Sequence, residues 1–86
     1  MTWIPQAADA AFAAELTQLR LQAGMSRHEL ARQLGIQPAD VDLSEAGQRR
    51  VDVVELFHWC QACGSSLDVF AERMDRRLAS ASLAAH

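Results

Sequence analysis

The sequence predicts an all-α domain of five short helices, and three observations carry that prediction. Apolar side chains recur three or four positions apart along most of the chain, the spacing that gathers them on one side of an α-helix. Strand signals are missing: there is no Tyr, β-branched residues are few, and apolar and polar residues do not alternate. All four glycines, Gly24, Gly35, Gly47 and Gly64, stand just past an apolar-periodic stretch, where a left-handed residue closes a helix.

The first helix is expected over residues 8–23, where Phe12, Leu16, Leu19 and Ala23 keep one face. The second, over 27–34, opens with Ser26-Arg27-His28-Glu29. This is a capping box, with Ser26 at the N-cap, Glu29 at N3, and Met25 and Leu30 in the staple positions. The third, over 38–46, starts at Pro38, whose fixed φ suits the first helical position. Gln37 before it is a poorer cap than Ser or Asn. The fourth, over 53–63, repeats the box as Asp52-Val53-Val54-Glu55, with Val51 and Leu56 as its staple. Its stripe is Val53, Leu56, Cys60 and Cys63. The fifth, over 67–79, follows Ser66 as cap and carries Leu67, Phe70, Ala71, Met74 and Leu78. The Ala-rich residues 80–86 are expected to fray.

Composition narrows what such a domain does. With 86 residues the chain forms one domain, 1–86, around one small core. Half the residues are apolar, yet Ala alone contributes sixteen, so large apolar side chains are scarcer than that share suggests. No stretch of about 20 apolar residues exists to span a membrane. Met1-Thr2-Trp3-Ile4-Pro5 lacks the basic and apolar blocks of a signal peptide, so the expected address is cytoplasmic. Two Cys three positions apart are too few for a disulfide scaffold. Eight Arg, no Lys and eleven acids leave a net charge of −3, unusual for a small protein that neutralises phosphates. By segment the charge is −1 over 1–23, zero over 24–50 and −2 over 51–86.

The run Met25-Ser26-Arg27-His28-Glu29-Leu30-Ala31-Arg32-Gln33-Leu34-Gly35-Ile36 is a short capped helix that stops at Gly and leads into a second short helix. It resembles the helix-turn-helix of the phage-repressor-like (lambda-repressor-like, XRE) family of DNA-binding proteins. The resemblance extends over about 12–70 and takes in Leu19-Arg20 before Gly24, Glu45-Ala46-Gly47-Gln48-Arg49-Arg50, Val51 to Leu56, and Gly64-Ser65-Ser66-Leu67-Asp68. It implies a five-helix domain, here with an extended C-terminal helix. It also implies a dimeric DNA-binding transcriptional regulator, a repressor, whose partner is a double-stranded DNA operator. Within the family an Arg late in the first helix often pairs with a Glu at the end of the third. That resemblance gives Arg20 and Glu45 the role of a buried, bidentate ion pair.

In this family the third helix lies in the major groove. The reading positions fall on Gln37, Pro38, Ala39 and Leu43, with Asp40 and Asp42 nearby. Pro38, Ala39 and Leu43 offer no hydrogen bond, so their readout is apolar contact with a thymine methyl. Asp40 and Asp42 face phosphates of like sign; the base contact open to them is acceptance from a cytosine amino group. Ser44 stands where the family has a large apolar residue, and burying Leu43 in its place would re-aim the helix. The phosphate positions implied are Arg27 at the start of the second helix, beside free N–H groups, and Gln48, Arg49 and Arg50 after Gly47. The plain alternative for these arginines is solvated surface charge. An opposite functional reading also stands: a degenerate module of the same family, an anti-activator or co-regulator, whose third helix meets a protein rather than bases.

His58-Trp59-Cys60-Gln61-Ala62-Cys63 invites a metal or redox reading, but a structural zinc site wants four N or S ligands, and buried free Cys acts as a small hydrophobe. Core packing is the expected role of the pair, with no metal and no cofactor. Trp59 is either core or partner surface. Trp59, Phe70, Met74 and Leu78 together form the candidate dimer or partner face. Trp3, Ile4 and Pro5 dock there or hang free. Arg73, Arg76 and Arg77 are expected on the solvated side of the last helix. No nucleophile–base set or phosphate-cradling Gly loop is present, so no enzyme is expected.

Overall fold

The structure, a computed structural model, describes residues 5–84. Trp3 and Ile4 lie outside the described residues. Five helices follow in order: α1 Pro5–Gln22, α2 Arg27–Leu34, α3 Pro38–Glu45, α4 Val53–Ala62 and α5 Leu67–Ala84. The three inner helices match the expected spans to within a residue. The outer two are longer than expected. α1 opens at Pro5, a residue that suits the first helical turn. α5 continues through Ser80 to Ala84 instead of fraying there. Ala is the best helix former, and no Gly or Pro interrupts that stretch.

The caps explain the register of the inner helices. Ser26 Oγ accepts from the Glu29 N–H at 3.1 Å, and Glu29 Oε1 faces the Ser26 N–H at 3.5 Å. Asp52 Oδ1 accepts from the Glu55 N–H at 2.8 Å. The second half of that expected box does not form, because the Glu55 carboxylate binds Arg49 instead. At α3 the Gln37 side chain makes no capping bond; the Asp40 carboxylate takes the Gln37 N–H at 3.1 Å. After α3, Gly47 turns the chain with a φ of 75°, a conformation costly for any residue with a Cβ. The turn lets the Gln48 N–H reach the Leu43 carbonyl at 2.8 Å.

α1 packs on α5 and α3, while α2 packs on α3 and α4. Leu16, Leu19, Leu30, Ala31, Val41, Leu56, Trp59, Cys60 and Phe70 form one continuous core. Of the residues offered as a partner face, Trp59 therefore takes its core alternative, and Phe70 is core as well. Trp59 is fully buried, and Phe70 is buried with its ring edge-on to Phe12 at 5.4 Å between centroids. The scarcity of large apolar side chains accounts for this: a small Ala-rich core needs its largest aromatics inside. Trp59 Nε1 has no acceptor among the described residues, a local cost outweighed by burying so large a ring. Met74 is half-buried against the core, and Leu78 remains exposed.

Two charged residues are buried with the apolar ones. Glu15, on α1, takes Arg77 Nε at 2.8 Å and lies 2.7 Å from Arg73 Nε; only the Arg77 contact is aligned as a hydrogen bond. Arg73 and Arg77 thus turn inward and tie α5 to α1, contrary to the solvated role expected for them. Arg76 does face solvent, paired with Glu72 one turn away. Arg20 at the end of α1 reaches Glu45 at the end of α3: Nε to Oε2 at 2.7 Å and Nη2 to Oε1 at 3.1 Å. Its remaining Nη1 donates to the Met25 carbonyl at 3.0 Å.

The side chains of this pair are 9% and 4% exposed, so losing one partner strands a buried charge. Glu45→Ala is expected to cost about 3–5 kcal/mol, seen as a lower denaturant midpoint with an unchanged slope. Arg76→Ala, on the solvated side of α5, should leave the midpoint where it is.

Candidate nucleic-acid interface

α3 presents a narrow outer face. Val41 and Ser44 are buried, Pro38 and Asp40 are half-buried, and Ala39, Asp42 and Leu43 are exposed. Gln37 is exposed just before the helix. Ser44, not Leu43, occupies the inward position. Its hydroxyl donates to the Asp40 carbonyl at 2.8 Å and accepts from Arg49 Nη1 at 3.1 Å. A small polar residue is tolerated there because both of those bonds satisfy it. Leu43, 42% exposed, is left on the surface, and the helix is not re-aimed.

The cationic residues around α3 divide into committed and available groups. Arg49 is committed. Its Nη1 and Nη2 hold Glu55 Oε1 and Oε2 at 2.5 and 3.0 Å, and its Nε lies 4.0 Å from Asp40. The Glu55 hydrogen bond raises the Arg49 pKa above its ordinary value. This bidentate fork pins the loop after α3 to the first turn of α4. Arg27 is shared: Nε stands 3.2 Å from both Asp42 Oδ1 and Glu45 Oε1, with its side chain about half exposed. Gln48 and Arg50 are exposed, and Arg50 makes no ion pair among the described residues. The start of α2 and the first half of α3 enclose a shallow notch lined by Ser26, Arg27, His28, Pro38, Ala39 and Asp42.

The sequence suggested the positions on α3 and the Arg20–Glu45 pairing, and the structure brings Arg20, Arg27, Asp42 and Glu45 into one chain of contacts. It also reveals three partnerships that local patterns did not: Arg49 with Glu55, and Glu15 with Arg73 and Arg77. The first has a signal in hindsight, since a Glu at N3 of α4 stands six residues beyond Arg49. The others span most of the chain and leave no local trace.

Cys60 is buried and Cys63 half-buried, both as free thiols. Burial pushes the Cys60 thiol pKa up, and burial with neighbouring Cys60 pushes Cys63 to about 11. Both stay protonated near neutrality. No group of three His, Cys, Asp or Glu among the described residues is placed to hold a metal.

A two-helix corner, α2 into α3, with the second helix turned outward and arginines beside it, defines a helix-turn-helix protein. The family model described as "Helix-turn-helix domain" matches residues 11–73, and the chain belongs to that family. Among solved structures, the clp gene regulator ClgR from Corynebacterium glutamicum is 26% identical with a TM-score of 0.75, over 90% of this chain and 86% of that one. A point mutant of the restriction-modification controller protein C.Esp1396I superposes with a TM-score of 0.77 at 20% identity, covering 83% of this chain and 95% of that one. The wild-type controller gives 0.72 at 18% identity, covering 88% and 97%. Comparison with curated protein sequences gives no match. No helix among the described residues is long and apolar enough to cross a membrane.

Both thiols should resist alkylation while the chain is folded. At pH 8 the native protein is expected to react with a thiol reagent far more slowly than the urea-unfolded chain, since only the thiolate attacks. Equal rates would mean that the α4 face is open to solvent.

Proposed function

We propose that this chain is a DNA-binding transcriptional regulator of the XRE helix-turn-helix type, cytoplasmic and acting as a dimer, that sets α3 into the major groove of an operator. The observation that carries the reading is the outer face of α3: Ala39, Asp42 and Leu43 face outward together, while the helix is fixed from behind by Val41, Ser44 and Glu45. Such a face supports readout through thymine methyls and duplex shape more than through a set of hydrogen bonds. Phosphate contacts fall to Arg27, Gln48 and Arg50. Arg49 serves them indirectly, by holding the loop on which Gln48 and Arg50 stand. ClgR, a gene regulator by name, is consistent with the regulatory role.

With Trp59 and Phe70 inside the core, a dimer needs another apolar surface. Val53, Val54 and Phe57 of α4 are exposed at helical spacing, and Val69 and Leu78 of α5 are exposed on opposite sides of that helix. These side chains are the material for self-association in this reading, since a stable interface wants an apolar centre.

The acidic share of the chain keeps the protein-binding reading in play as an outcome of the test. Purified protein is titrated with its own upstream DNA at two salt concentrations. Binding at low salt that weakens with a steep log–log slope supports the proposal; no binding at low salt favours a protein partner for α3. Arg50→Ala should flatten the slope by about one unit, whereas Arg49→Ala should cost about 1.5–3 kcal/mol of stability. Leu43→Ala should change operator preference and leave the melting temperature unaltered, because its side chain supports no core contact.

A further inference from the structure

Asp40 and Asp42 look equivalent in sequence, two like charges on the helix nearest the DNA. The structure separates them. Asp40 is half-buried, and its carboxylate accepts from the Gln37 N–H at 3.1 Å and lies 4.0 Å from Arg49 Nε. It belongs to the cap of α3. Asp42 has no such employment: its side chain is 66% exposed, and among the described residues its one ion-pair partner is Arg27, 3.2 Å from Oδ1. Among residues 38–45 it is the single exposed side chain able to hydrogen-bond. Its immediate companions on that face, Ala39 and Leu43, are apolar.

We propose that Asp42 is a specificity-determining residue that accepts a hydrogen bond from the N4 amino group of a cytosine in the major groove. The inference rests on the DNA-binding reading of α3. A carboxylate only accepts, so it selects base edges that donate. Cytosine N4 and adenine N6 are the two amino donors in that groove, but adenine sets its N7 acceptor beside N6. A carboxylate oriented onto adenine therefore meets a lone pair with its second oxygen, and cytosine does not impose that conflict. Arg27 makes the contact tolerable near phosphates. Its charge, 3.2 Å from Oδ1, offsets that of Asp42, while its Nε–H is given to Glu45 and the Asp42 oxygens remain free to accept from a base. The apolar companions then favour thymine methyls at neighbouring steps.

The experiment is selection of bound duplexes from a randomised pool, run on the wild type, Asp42→Asn and Asp40→Asn. Wild type is expected to enrich cytosine at one position of each half-site, with replacement of that cytosine weakening binding about tenfold or more. Asp42→Asn should move the preference at that position to adenine, since an amide both donates to N7 and accepts from N6. Asp40→Asn should leave the preference unchanged. If Asp42→Asn strengthens binding equally to all sequences, Asp42 is merely a repelling charge, and the inference falls while DNA binding stands. If none of the three proteins retains duplex at low salt, the DNA-binding reading falls and takes the inference with it.

Discussion

Arg20 crosses from the last turn of α1 to the last turn of α3 and closes on Glu45 with two hydrogen bonds. The outward placement of α3 depends on this contact. α1 is anchored in the core by Leu16 and Leu19, and α3 is short, with only Val41 and Ser44 fully buried. Two buried side chains do not fix both the tilt and the rotation of an eight-residue helix. A fork that accepts one approach direction supplies the missing constraint. A buried ion pair of this kind contributes less net stability than its closeness suggests, because both ions lose hydration. Its value here is orientational. The Arg20 guanidinium also takes the Met25 carbonyl, so the same group fixes the turn into α2, and Arg27 extends the contact to the exposed face.

The charges of the chain follow a common pattern around this pair. Glu15, Glu45 and Glu55 each receive an arginine, while Glu29, Asp40 and Asp52 hold backbone N–H groups at helix starts. Six of the eleven acids are thereby absorbed into the architecture. An acidic net charge consequently says little about the field over α3. What counts there is the balance between Asp42 and exposed arginines such as Arg27 and Arg50.

Local chemistry was the legible part of the sequence. Helix starts at Ser26, Pro38, Asp52 and Ser66 declare themselves because a cap acts within three residues, and the glycine stops are equally local. The exposed side of α3 was legible in part: Ala39, Asp42 and Leu43 do face outward, whereas Pro38 and Asp40 are half-buried. Burial of Phe70 was not, and for Trp59 core and partner surface both stayed open, because a stripe on a helix looks the same whether its own core or another chain covers it. Nor was the inward turn of Arg73 and Arg77: Glu15 lies 62 residues from Arg77, and no periodicity reports a contact between the two ends of a chain. Glu55 misled for a subtler reason. It occupies a proper capping-box position, but a guanidinium within reach is a stronger partner than a backbone amide.

The division of labour on α3 has a consequence for how such a protein changes its target. Everything that orients the helix lies behind it, in Val41, Ser44 and Glu45, or at its ends, in Asp40 and the Arg49 loop. Ala39 and Leu43 contribute nothing to that framework, and Asp42 touches it only through an exposed contact with Arg27. The outward triplet is therefore an exchangeable lettering on a fixed mount. In the proposed DNA-binding reading, new base preferences accumulate at these three positions by single steps, without a compensating repair in the core.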